Sequence, residues 1–475
     1  MLKRHSLAYL IARGGPALVS FLTIAVFTRL MTTQAYGRYQ LVVAGVGLAA
    51  ISFRWLRLSL LRFLPSHKER PKRLFSIILS FFVLISLATG GIGLATICFI
   101  YSSTWQGLVA VAILLLWVKS WYTLNLDLAR SRLNPRRYGW LRLTKVCLAL
   151  GFGALLVVWG FGAFGPLLGL IVGMAVAAIG PSWRDWKDAL VHTRVLKTRL
   201  ARKVLWYGLP LTASFAVSFI LSGSDRLLIG WLIDDSATGL YSAGYDITQQ
   251  TITTLMSVIN MAAYPLAVKA LEEKGKDAAY AQMHENGTLI LAIGLPATVG
   301  LIMLSSEFCT LFLGQEFRDT GIRLLPWISV GALLSGIRAY HYDLAFQLGN
   351  RTVNQVWVLG GAAVANLGLN LWLIPAFGVL GAAYATTASY AIALALSIVF
   401  GRYVLRVPMV PEGWAKVAAS TFVMVAVLYI VELEGALLSL VVNIGVGGAV
   451  YLAGAYVTDL LGARQAAEKV ARRIW

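Results

Sequence analysis

The stretch IILSFFVLISLATGGIGLA, residues 77–95, carries no charged side chain at any position. Its reading decides the fold. A helix needs about 20 mostly apolar residues to cross the hydrocarbon core of a bilayer. A closed β-barrel, the other architecture that satisfies its backbone in lipid, would instead alternate apolar and polar residues over about ten positions. Residues 77–95 do not alternate, so the helix is the reading. Comparable segments recur near 7–30, 38–61, 74–100, 107–128, 141–163, 166–183, 204–231, 239–263, 287–313, 323–347, 353–374, 378–402, 413–432 and 436–460. The prediction is an all-α integral membrane protein with about 14 transmembrane helices.

Composition agrees. The 475 residues are 58% hydrophobic and 13% charged, about half the charged fraction of a soluble domain. A formal charge of +20 would suit a nucleic-acid partner, but the bases lie in short loops between helices, so no nucleic acid is expected. They read as topology signals and as attraction to membrane lipids with anionic headgroups. The N-terminus lacks a small-residue cleavage site after a short apolar core and is read as a retained helix. Cys98, Cys147 and Cys309 are odd in number and lie within apolar segments, which gives neither a disulfide framework nor metal-ligand spacing. No nucleophile elbow, phosphate loop or metal motif appears, so no enzyme activity and no cofactor are expected.

Lys and Arg occupy every second gap: Lys3 and Arg4, then 68–73, 130–142, 184–203, 269–276, 351, 402–406 and 464–473. The opposite gaps at 101–107, 162–165, 234–239, 375–378 and 432–435 hold none. Only Arg38 and Arg318 depart from the alternation. The positive-inside rule then puts both termini in the cytoplasm. A weak repeat is also visible. Gly14-Gly15-Pro16 matches Gly208-Leu209-Pro210, and Ala35-Tyr36-Gly37-Arg38-Tyr39 matches Thr238-Gly239-Leu240-Tyr241. Six helices per repeat keep the copies in one orientation, which predicts two pseudo-symmetric six-helix lobes. The expected organisation is an N-terminal lobe with its basic linker at 1–200, a C-terminal lobe at 201–406, and an added helix pair with a basic tail at 407–475.

Four stretches carry a family resemblance: FTRLMTTQAYGRYQLV (27–42), DRLLIGWLIDDSATGLYSAGYDI (225–247), YPLAVKALEEKG (264–275) and NLWLIPAFGVLGAAYATTASY (370–390). They resemble bacterial polysaccharide-biosynthesis exporters, the Wzx-type lipid-linked oligosaccharide flippases. These share a superfamily with the MATE drug exporters and the lipid II flippases. The resemblance implies alternating access around a central cavity in the bacterial cytoplasmic (inner) membrane. It implies an undecaprenyl-diphosphate-linked glycan as substrate, a proton or sodium ion as coupling ion, and a polysaccharide polymerase and chain-length regulator as partners. An exporter of drugs or metabolites is the alternative. A glycan polymerase or ligase would need a long extracytoplasmic loop, and the loops here are short.

Charges inside an apolar span are costly and tend to mark function. Arg54 lies deep in the second segment and shares a face with Arg57, and Arg62 follows. A diphosphate headgroup calls for such bidentate donors. Arg13, Arg29, Lys119 and Arg226 complete the expected cavity cations. Asp127 stands two turns from Lys119, too far to be its simple partner. Trp121 and Tyr122 are weighed as sugar-stacking or interfacial aromatics. Asp225, Asp246, Arg338 and Asp343 are candidates for gating or coupling, set against structural ion pairs; His341 beside them is a candidate titrating group. By the resemblance, Asp225, Asn366, Asn370 and Thr386 are the candidate sodium ligands; hydrogen bonding between helices is their plainer role.

Overall fold

The computed structural model of the chain describes residues 15, 18–67, 71–132, 134–408, 413–431, 433–465 and 468. Arg13 and the basic residues at both extreme termini lie outside them. The described residues form helices and contain no strand. In chain order these are α1 (Leu18–Leu30), α2 (Thr33–Ala49), α3 (Ile51–Phe63), α4 (Pro71–Phe99), α5 (Ser103–Ser131), α6 (Pro135–Val158) and α7 (Phe164–Trp186). After the short α8 (Thr193–Leu196) come α9 (Arg199–Leu232), α10 (Asp235–Thr248), α11 (Thr254–Lys274), α12 (Lys276–Met303) and α13 (Ser305–Phe312). The rest are α14 (Gln315–Ile337), α15 (Leu344–Leu348), α16 (Thr352–Phe377), α17 (Val379–Gly401), α18 (Gly413–Ile430) and α19 (Ala436–Val457).

Among the described residues, eleven helices are long and apolar enough to span a membrane, or twelve when α2 and α3 count as one bent span. The expected first and sixth spans correspond to the shorter apolar stretches Leu18–Leu30 and Phe164–Gly180; of the first, the residues before Leu18 lie outside the described ones save Gly15, and α7 as a whole continues to Trp186. The apolar surface itself marks the molecule as a multi-pass membrane protein. On α4, Leu87 is 70% and Ile92 69% exposed, a stripe that water would not tolerate and lipid does.

Two expected spans are broken. The second is not one straight helix: it bends by 52° at Ala50. There the hydroxyl of Ser52 donates to the Ala49 carbonyl at 2.7 Å, taking an acceptor that a continuous helix would use. The ninth ends at Met303 instead of 313, and α13 follows separately. Two π-helical turns, Gln249–Thr253 and Arg338–Tyr342, join α10 to α11 and α14 towards α15. In the first, Thr254 donates both its backbone N–H and its hydroxyl to the Gln249 carbonyl.

The chain forms two compact units, Met1–Gly239 and Leu240–Trp475, divided inside α10. In the first, α9 packs on α2 and α3, although the repeat assigns it to the second copy. Gly208 of α9 makes this possible, since a Cβ there would stand 2.7 Å from Trp55. In the same unit α6 lies directly on α7 through Ala149 and Gly153 against Gly169 and Gly173, where a Cβ would meet backbone. In the second unit, α16 pairs with α17, α11 with α12, and α18 with α19.

Both exceptions to the charge alternation have a local cause. Arg38 pairs with Asp235 at 2.8 Å, so its charge is matched. Arg318 donates to the carbonyl of Leu313, just past the end of α13.

Candidate functional site

The first unit gathers cations from three neighbouring helices. The break at Ala50 places Arg54 in the first turn of α3 and not in the middle of a long helix. Arg54 is exposed, and its guanidinium lies 4.0 Å over the ring of Phe215 from α9. This contact holds it without neutralising it. One turn on, Arg57 donates from Nε to Asp127 of α5 at 2.7 Å. Arg57 is therefore matched by a carboxylate, the intramembrane ion pair weighed against its place in the cavity wall. Asp127 is 9% exposed in this pair, and Arg57 is the partner that spacing along α5 had not shown.

Lys119 of α5 is half-buried, and the charges acting on it are those of Lys145 on α6 and Arg57. Lys145 in turn feels Arg142, whose guanidinium lies 5.8 Å from the Tyr138 ring centre. Among the described residues neither lysine makes a hydrogen bond or ion pair. Among the described residues, Arg54, Arg57, Lys119, Arg142 and Lys145 are thus linked through their charges, and Asp127 is the carboxylate that acts on Arg54 and Arg57. Lys145 had not been singled out from the sequence. The signal was present: it begins the stripe Lys145, Ala149, Gly153 on α6, and α7 packs so closely there that a Cβ on Gly173 would be 2.5 Å from the Lys145 carbonyl. Like charges held by rigid helices in a poorly polarisable region are relieved by an anion with several oxygens.

Other expected site residues are placed differently. Arg62 is exposed in the last turn of α3, and Arg29 is exposed at the end of α1. Arg226 donates to Gln40 Oε1 at 3.1 Å, and Gln40 donates to the Tyr36 hydroxyl, which ties α9 to α2. Asp225 is 2% exposed. Trp121 packs on Phe82 and Trp186, and the Tyr122 hydroxyl donates to the Leu141 carbonyl. Both aromatics pack between helices in the first unit.

In the second unit Arg338 and Asp343 form a buried ion pair of 2.6 Å. Asp343 also accepts from Gln355 of α16 and Ser397 of α17, so it fastens three helices. Asp246 is half-buried. His341 shares a hydrogen bond with the Pro408 carbonyl and packs against Trp414. Asn370 donates to Asn366, and the Thr386 hydroxyl, which donates to Ala382, lies 3.4 Å from that of Tyr241. These are neutral oxygens within the second unit, while Asp225 belongs to the first. Among the described residues no three His, Cys, Asp or Glu side chains cluster as a metal site.

Spans and apolar surface define a multi-pass membrane protein, and its fold is that of solved MATE-like transporters. The structure is similar to that of the lipid II flippase MurJ in its inward closed conformation, with TM-score 0.78 at 14% identity, covering 95% of this chain and 99% of that one. It matches an inward-facing multidrug resistance MATE family transporter with TM-score 0.65 at 14% identity, covering 84% and 97%. By sequence, the chain belongs to the family described as polysaccharide biosynthesis protein, which it matches over residues 26–321. It is 26% identical over 250 residues to the probable low-salt glycan biosynthesis flippase Agl15 of Haloferax volcanii, covering 51% of this chain and 50% of the relative. It is 23% identical over 280 residues to the uncharacterized membrane protein MJ1068 of Methanocaldococcus jannaschii, covering 58% and 53%. The chain thus spans about half the length of the curated relatives it matches.

Proposed function

We propose that the chain is a secondary transporter that flips an undecaprenyl-diphosphate-linked oligosaccharide from the cytoplasmic to the outer leaflet by alternating access, for the synthesis of a surface polysaccharide. The observation that carries this reading is the excess of cations over Asp127 on α3, α5 and α6. A diphosphate is the multi-oxygen anion that such a set attracts, and Arg54 offers it a planar fork. Membership of the polysaccharide biosynthesis family supports it, as do relatives whose names give glycan and lipid II flippases. A drug exporter selecting organic cations would call for an apolar or acidic site, which the cation excess opposes. The membrane potential favours outward movement of a negative headgroup by about 2.3 kcal/mol per charge per 100 mV. A proton or sodium ion is the candidate for any further coupling.

Leaflet-resolved transport in proteoliposomes tests this. Wild-type protein is expected to flip the lipid-linked glycan, and Arg54→Ala and Lys119→Gln to slow it about tenfold each, the weight of a lost charge-assisted contact. Full activity in both folded variants would remove the cation set from the mechanism. No flipping by the wild type across several glycans and imposed gradients would favour the drug exporter.

A further inference from the structure

A cavity of about 530 Å³ lies in the second unit between the first turns of α12 and the turn that follows α17. Its mouth carries three exposed cations, Lys276, Arg402 and Arg406, against one carboxylate, Asp277. Lys276 opens α12, and the preceding residue Gly275 offers no side-chain cap to the backbone N–H groups of that first turn. The back of the cavity is apolar. Met283 is fully buried there and clusters with Ala267 and Leu344, and Leu405 packs against the same group. Tyr280 stands at the edge, 45% exposed, with a ring and hydroxyl suited to the boundary between acyl chains and headgroups. None of these groups belongs to the cation set of the first unit.

We propose that this cavity binds the phosphate headgroup of an anionic phospholipid of the surrounding bilayer. The mouth supplies the charge that a phosphodiester requires. The apolar back offers surface to the glycerol and upper acyl carbons, which an inorganic anion would leave empty. The position fits as well. Residues 269–276 and 402–406 belong to the basic gaps that the charge alternation places at the cytoplasmic face, where anionic lipids concentrate. The inference stands independently of the transported substrate, because it concerns lipid that stays in its leaflet.

The full chain, purified in dodecylmaltoside, is titrated with dioleoylphosphatidylglycerol or dioleoylphosphatidylcholine, with bound lipid read by native mass spectrometry. The wild type is expected to retain phosphatidylglycerol selectively. Lys276→Gln/Arg402→Gln/Arg406→Gln is expected to bind it at least about tenfold more weakly. Lys276→Gln/Arg406→Gln, which keeps Arg402, is expected to show most of that loss, and serves if the triple variant does not fold. Lys187→Gln/Arg194→Gln/Lys197→Gln removes equal charge from exposed positions between α7 and α9 of the first unit and is expected to bind as wild type does. Unchanged affinity in the cavity variants, or an equal loss in the loop variant, would overturn the proposal. So would displacement of the lipid by millimolar inorganic phosphate, which would make the cavity a site for soluble anions. Displacement by farnesyl diphosphate without selectivity for phosphatidylglycerol would assign it to the transported carrier instead.

Discussion

Arg57 and Asp127 are separated by 70 positions in the chain and by 2.7 Å in space. Removing one partner leaves the other charge uncompensated in a region that solvates it poorly. Arg57→Leu or Asp127→Leu is therefore expected to lower stability by about 2 kcal/mol, a value reduced from fully buried pairs because Arg57 is 28% exposed. The double variant should recover much of that loss, and thermal unfolding of the four proteins in detergent measures the coupling. Arg338 and Asp343 are more deeply buried, at 10% and 0% exposure. Asp343→Asn keeps the shape but strands the Arg338 charge, so a loss of about 3 kcal/mol is expected, partly restored by adding Arg338→Met. A stable Asp343→Asn protein that no longer transports would instead assign Asp343 to ion coupling. The charges themselves were legible in the sequence, since an intramembrane Arg or Asp stands out against apolar neighbours. Their partners were not, because hydropathy and spacing carry no information about which helices touch. Lys145 was missed for a related reason: it lies inside its segment three residues past Arg142, and nothing in the spacing shows that it faces Lys119.

Glycine governs contact between elements. Gly165, Gly169 and Gly173 recur every four residues on α7 and face Ala149 and Gly153 of α6 so closely that a Cβ on Gly169 would be 2.5 Å from the Ala149 carbonyl. Backbone cannot yield as a flexible side chain does, so Gly169→Leu is expected to force the helices apart and cost about 1–3 kcal/mol or more. It should also shift Lys145, which begins the same stripe. Loss of monodisperse protein on size exclusion, with Gly151→Leu tolerated because nothing lies within 4 Å of a Cβ there, would check the assignment. The spacing was visible in the sequence and is the kind of signal that names a helix pair. The breaks were not visible. An average of hydropathy runs smoothly through Ala50, although Ser52 is placed to take the Ala49 carbonyl. It runs equally smoothly through Gln249–Thr253, where two glutamines and two threonines inside an apolar span gave the only hint of a π turn.

At the scale of the whole molecule, residues that the weak repeat makes equivalent meet inside the first unit. Gly37 and Gly239 correspond in the two copies, and so do Thr33 and Asp235. A Cβ on Gly37 would collide with the carbonyl of Asp235, and one on Gly239 with the carbonyl of Thr33. The two clashes are reciprocal, each glycine facing the backbone carbonyl of the residue four positions before the other. The crossing is held further by the Arg38–Asp235 pair and by Ser236, whose hydroxyl donates to that of Thr33 at 2.6 Å. It lies at the end of the spans away from the basic gaps, the outer face under the proposed orientation, and alternating access requires that face to open once per cycle. The crossing offers a direct test. Thr33→Cys/Ser236→Cys, in a background with Cys98, Cys147 and Cys309 replaced by serine, places two thiols where hydroxyls already touch, within the span a disulfide bridges. Oxidation is expected to join them and to stop flipping in proteoliposomes, and dithiothreitol to restore it, while the cysteine-free parent ignores both reagents. If the oxidised protein flips at the parental rate, α2 and α10 do not part during transport, and the substrate must leave by a route that keeps Gly37 against Gly239.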